Sequence, residues 1–173
     1  MSIPYLPSIG WYRDFLAGNE PVCDRKSWNS SIISRYNVKF PEGILHSSLS
    51  TLHLNIVGGR HARHLPYEEL LLSDHGKWRS EHWNALQTAY GRSPFWEYYQ
   101  DDFSPFYHDH SWLLLKDFNE AIHQTILGLL DLPPQGAKLY LPEHPIELSA
   151  DELNLSIIDL LCRKGNEAIY SLI

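Results

Sequence analysis

Scarcities come first: two cysteines, one methionine and no long run of lysine or arginine in a chain of 173 residues. The thiols, Cys23 and Cys162, lie far apart and make neither a CxxC pair nor a disulfide framework, the usage expected of a reducing cytoplasm. With 14 lysines and arginines against 21 aspartates and glutamates, the formal charge is −7. That balance excludes nucleic acid as a bulk partner, because affinity for phosphate backbones comes from clustered cations. Any anionic ligand would have to be met locally. No stretch is apolar for long enough to cross a bilayer, and no signal-peptide core is present. Ten histidines include His61, His64, His108, His110 and His144, which could be ligands. None falls in an HxxxH or HExxH arrangement, so no metal and no other cofactor is expected. The length fits one domain, residues 1–173, without an internal repeat or linker.

What the chain does hold is aromatic residues: six tryptophans, ten tyrosines and six phenylalanines. They are densest in residues 77–102. At 100° per residue, Ala85, Trp78, Ala89, His82, Leu86, Arg79, Tyr90 and Trp83 fall on one arc of a helix, with Gln87, Ser80, Asn84, Thr88 and Glu81 opposite. The apolar face therefore carries a guanidinium and an imidazole. Burying either without partners costs several kcal/mol, so Arg79 and His82 are tied into a structural network or face a pocket. Gly91 is expected to close this helix in a left-handed conformation. Ser93 and Pro94 then suit the start of a second helix carrying Phe95, Trp96, Tyr98 and Tyr99, which makes a corner between two aromatic helices.

Ahead of this corner, Ser8 suits the cap of a short helix that Gly18 ends, and Val22 and Cys23 suit a short strand. Residues 49–57 alternate Leu52, Leu54 and Ile56 with His53 and Asn55, the period of a half-buried strand. Gly58 and Gly59 break it. Residues 67–72 read as its antiparallel partner, joined through a loop holding Arg60, His61, Arg63 and His64. A pair of guanidinium groups suits bidentate binding of phosphate, although a solvated loop has the same composition.

After the corner, residues 111–132 keep a helical period through Leu114, Leu115, Phe118, Ile122, Ile126 and Leu129 until Pro133 and Pro134. His123 and Asp117 fall off that stripe and are expected to face solvent. Residues 138–141 read as a strand, residues 148–151 as a capped turn, and residues 155–163 as a last helix closed by Gly165. Cys162, inside that apolar run, is expected to be buried rather than nucleophilic.

Lys77-Trp-Arg with His82-Trp83, then Gln87-Thr-Ala-Tyr-Gly-Arg-Ser-Pro-Phe95 and Glu97-Tyr-Tyr99, resemble the signature block of the WbqC-like family. Tyr5 to Ile9, Leu52 to Gly59 and Asn154 to Leu161 agree with it, so the resemblance spans nearly the whole chain. It implies bacterial surface polysaccharide synthesis of the O-antigen type, in which some members are thought to add an aminoacyl or acyl group to an amino sugar. It also implies an α/β fold, a Rossmann-like, nucleotidylyltransferase-like sheet flanked by helices, with the antiparallel pair at an edge or in an insertion. One departure concerns a lysine of the family pattern whose place here is taken by Ser30, leaving Arg35 downstream. If that lysine is catalytic in relatives, this chain is altered or inactive.

Two functions stand on these residues. In the first, a transferase acts on a nucleotide-activated amino sugar. Arg60, Arg63 and Arg79 meet the diphosphate, Trp83, Tyr90 and Trp96 stack on sugar or base, and His82 is the general base. Arg79 is placed with His82 at the reacting centre, and Arg35, Lys77, Trp78, Gln87, Arg92 and Tyr99 complete the substrate site. In the second, the same aromatic corner binds a nucleotide sugar or a protein without chemistry.

Overall fold

The computed structural model describes residues 2–19, 35–39, 49–133 and 146–173. Side chains of Arg35, Tyr36, Val38, Leu49, Ser50, Arg60 and Arg63 lie outside that description. So do the segments holding Val22, Cys23, Ser30, His144 and the strand expected at 138–141. Helix α1 (Ile9–Leu16) starts where Ser8 accepts the Trp11 amide on its hydroxyl, the capping expected of a serine at that position. Its inner face is Ile9, Tyr12 and Leu16.

Helix α2 (Trp78–Tyr90) and helix α3 (Trp96–His108) form the aromatic corner. In α2 the buried residues are Trp78, Arg79, His82, Leu86 and Tyr90, while Ser80, Glu81, Asn84 and Thr88 face solvent. The helical period alone separates those faces. The corner's chemistry differs from expectation. Gly91 is right-handed (φ −58°), and a methyl group there would collide with the Gln87 carbonyl. Helix α3 begins after Phe95, without a side-chain cap, so Ser93 and Pro94 belong to the turn.

Helix α4 (Leu115–Leu129) is shorter than its apolar stripe. Asp131 turns left-handed (φ 56°) and stops it before the prolines are reached. His123, expected in solvent, is buried with Nδ1 2.8 Å from the Tyr12 hydroxyl. Trp11 and Phe15 from α1 pack edge-on against its ring. The packing of α1 on α4 thus widens the buried face beyond its aliphatic stripe.

After α4 come a single turn, α5 (Ala150–Leu153), opened by a capping box between Ser149 and Glu152, then α6 (Ile157–Lys164) and α7 (Ile169–Leu172). Ser156 caps α6. The two described ends of the chain are stitched together, with the Ile9 amide on the Leu155 carbonyl at 2.9 Å and the Ile157 amide on that of Pro7 at 2.9 Å.

The Rossmann-like sheet is overturned. Among the described residues the protein is mostly helical, and its one sheet has two antiparallel strands, β1 (Arg35–Lys39) and β2 (Leu49–His53), in the register Arg35 opposite His53. Doubly wound sheets need several continuous β-branched runs buried on both faces. Here the long apolar runs repeat at helical period instead. The partner expected for residues 49–57 is also replaced, because Pro66 leads into a single 3₁₀ turn, Tyr67–Glu69, with both glutamates exposed. Only isolated bridges, Ile56 to Leu72 and Leu71 to Leu114, survive beside it.

Gly165, closing α6 at φ 59°, is the most demanding glycine. A Cβ would sit 2.7 Å from the Phe95 ring, so the position resists side chains by both conformation and contact. Gly165→Ala is expected to cost about 1–3 kcal/mol, read as a lowered denaturant midpoint. An unchanged midpoint would contradict the packing of Phe95 on this turn.

Candidate functional site

Helix α2 begins and α3 ends at the same place, and a cleft of about 450 Å³ opens between them. That volume lies in the range of small-ligand sites. One wall is the loop preceding α2. Asn55 Nδ2 donates to the His75 carbonyl at 2.7 Å, and Trp78 Nε1 donates to that of Ser73 at 2.7 Å. Gly76 (φ 85°) lets the chain turn between them. These bonds bring the Asp74 carboxylate against α2. Lys77 stands at the N-cap without capping its helix, so the first-turn amides have no side-chain cap and carry the positive end of the helix dipole.

The opposite wall is the end of α3, Tyr107 and His108, followed by His110. Trp83 lies on the cleft, half-buried, with its ring against His108 (5.3 Å) and Tyr107 (5.7 Å). His108 Nδ1 lies 2.9 Å from the Ser104 carbonyl. A carbonyl only accepts, so Nδ1 carries the hydrogen of that bond.

Arg79 is committed to the structure even though it lines the cleft. Its Nε donates to Asp74 Oδ1 (2.8 Å), Nη1 to the Phe106 carbonyl (3.0 Å) and Nη2 to that of Trp112 (3.3 Å). Its guanidinium lies 4.6 Å from the centre of the Trp78 ring. The hydrogen bond from Arg79 is the main reason the Asp74 carboxyl is held below its ordinary range.

His82, the base expected from the sequence, is 2% exposed and does not line the cleft. Its Nε2 lies 3.1 Å from the His53 carbonyl and its Nδ1 3.0 Å from the Tyr5 hydroxyl. Burial lowers its pKa to about 4, so the ring is neutral near neutrality. Nε2 then donates to the carbonyl, and Nδ1 accepts the Tyr5 hydroxyl hydrogen. Tyr5 has spent its hydrogen, so Tyr107, 2.7 Å away, donates to it in turn. Both nitrogens of His82 are thus engaged in a buried hydrogen-bond network away from the cleft.

The expected site residues thus divide. Lys77, Trp78, Arg79 and Trp83 meet at the cleft. Tyr90, Trp96 and Tyr99 are buried in the corner, where Trp96 Nε1 donates to Gln87 Oε1 (3.1 Å) and Tyr99 to Asn166 (3.2 Å). Arg92 is exposed and lines no part of the cleft. Arg35 lies on β1, and Arg60 and Arg63 on the 3₁₀ helix Gly59–His64, their side chains outside the described residues. Asp74, Tyr107, His108 and His110 were not foreseen as a group. The one available signal was the demand of buried Arg79 for a partner, which Asp74 meets.

Among the described residues no three His, Cys, Asp or Glu side chains converge as a metal cage, and no helix is long and apolar enough to cross a membrane. No curated protein and no solved structure matches the chain. A family model does match, over residues 4–140, a span that contains the whole cleft. The chain belongs to the WbqC-like protein family.

Proposed function

We propose that the cleft binds a nucleotide-activated amino sugar and that the protein transfers an acyl or aminoacyl group to its amine, in the synthesis of bacterial surface polysaccharide. The observation that carries this is the meeting of an exposed ammonium, uncapped helix amides and an indole in one cleft. A diphosphate suits the first two, because the start of a helix presents unpaired N–H groups and positive potential. The indole of Trp83 offers a flat apolar surface to a pyranose ring or a base. Membership of the WbqC-like family supports the polysaccharide setting. A non-catalytic sugar-binding role is favoured by one observation, the engagement of both His82 nitrogens.

Thermal shift with UDP-glucosamine, UDP and glucosamine tests binding, since a ligand of the folded state raises the melting temperature. UDP-glucosamine is expected to stabilise the protein more than either fragment. Lys77→Ala and Trp83→Ala should each weaken binding roughly 5- to 30-fold, the loss of about 1–2 kcal/mol. Equal shifts for wild type and both variants would remove the cleft from the proposal.

A further inference from the structure

We infer that His110, oriented by Asp74, is the proton acceptor of this cleft, and that Arg79 acts as a positioning residue for Asp74. The inference rests on the transfer reaction proposed above.

The geometry forms a chain of fixed groups. The Phe106 and Trp112 carbonyls hold two guanidinium nitrogens of Arg79, and the third holds Asp74 Oδ1 at 2.8 Å. The carboxylate is thereby pinned with Oδ2 toward the imidazole, 3.4 Å from His110 Nδ1. From the other side, Asp109 accepts the Ser111 amide and hydroxyl, each at 2.8 Å, and so shapes the turn that carries His110. A carboxylate beside Nδ1 selects the tautomer with hydrogen on that nitrogen and leaves the Nε2 lone pair bare. The 3.4 Å contact is long, as catalytic hydrogen bonds often are before a ligand closes on them.

His110 lines the cleft with its side chain 67% exposed, and no other group of the described residues is bonded to it. His108 also lines the cleft, but its Nδ1 meets the neutral Ser104 carbonyl. Of the two imidazoles, His110 alone faces a carboxylate among the described residues. The charged and titratable groups around it are Asp74 from the loop, Lys77 and Arg79 from α2, and His108 and Asp109 from the end of α3.

With a thioester as acyl donor the step balances. The neutral sugar amine attacks the carbonyl carbon, the C–N bond forms, and the π pair moves to oxygen while Nε2 takes a proton from nitrogen. Collapse breaks the C–S bond, the pair leaves with sulfur, and the imidazolium returns its proton there. The products are an amide and a thiol, with no change of oxidation state.

Two measurements on the full chain test this. Long-range proton–nitrogen NMR should find neutral His110 with its hydrogen on Nδ1, and Asp74→Asn should move it toward Nε2. Hydrogen on Nε2 in the wild type, or no response to Asp74→Asn, overturns the inference. Thiol release from acetyl-CoA with UDP-glucosamine should fall about 10²- to 10⁴-fold in kcat for His110→Ala, with KM little changed and free imidazole restoring part of the rate. An unreduced kcat also overturns it. A wild type that neither binds UDP-glucosamine nor releases thiol overturns the proposed function and the proton-acceptor role that rests on it, while the Nδ1–H tautomer in that protein would still support the orientation of His110 by Asp74.

Discussion

Acidification from pH about 7 to about 4 is expected to remove several kcal/mol of stability, chiefly through two buried imidazoles. Burial lowers the pKa of both His82 and His123 from 6.5 to about 4. The folded state therefore holds them neutral, while the unfolded chain takes up their protons below its ordinary value. Stability is full above about 6.5, falls as pH drops toward about 4 and loses nothing more from these groups below that. Each imidazole contributes at most about 3 kcal/mol, a large share of the 5–15 kcal/mol typical of a folded domain. Asp159 opposes the trend, since burial raises its carboxyl above the usual range and the folded state gains that proton early. Urea midpoints measured across this range should slope steeply in the wild type. They should slope less in His82→Gln and His123→Gln, which remove one titrating group each and also the ring nitrogens that the Tyr5 and Tyr12 hydroxyls meet. A wild-type midpoint that stays flat would mean that the two rings are protonated in the fold, contrary to their burial.

Replacing Arg79 with methionine is expected to cost about 3–5 kcal/mol, the range found when one partner of a buried ionic network is removed. Methionine keeps much of the apolar stem but leaves the Phe106 and Trp112 carbonyls without their donor, and unsatisfied buried acceptors are the expensive part. The Asp74 contribution is smaller, because that side chain is 47% exposed and water screens the pair. Arg79→Lys should recover little, since one ammonium cannot reproduce a planar fork aimed at three acceptors. Denaturant melts and UDP-glucosamine affinity, measured on the same variants, separate this from a phosphate-binding role. A methionine variant with normal stability and lost affinity would return Arg79 to the substrate site. One that unfolds early would fix it as scaffold.

Several elements are legible in the sequence because their signals are local. Ser8 ahead of a helix, the α2 faces, the stripe of α4 and the glycine after α6 each depend on residues within a turn or two. The strand pair failed for a reason of the same kind: alternation marks an extended segment but does not name its partner. Residues 49–53 pair with 35–39, and the segment expected in that place spends its first residues in a 3₁₀ turn. His123 failed because the burial that covers it comes from α1, more than a hundred residues away in sequence.

The sequence by itself determined the family, the helical corner, and the requirement that Arg79 and His82 find partners. Periodicity and the cost of burying polar groups are properties of the chain alone. Which partners they found was decided only by the tertiary structure. The approach of Tyr5 and the His53 carbonyl closed both nitrogens of His82, while the Phe106 and Trp112 carbonyls turned Arg79 toward Asp74. Hydrogen-bond partners far apart in sequence are selected by packing, and that packing buried the imidazole of His82 while leaving those of His108 and His110 exposed at the cleft.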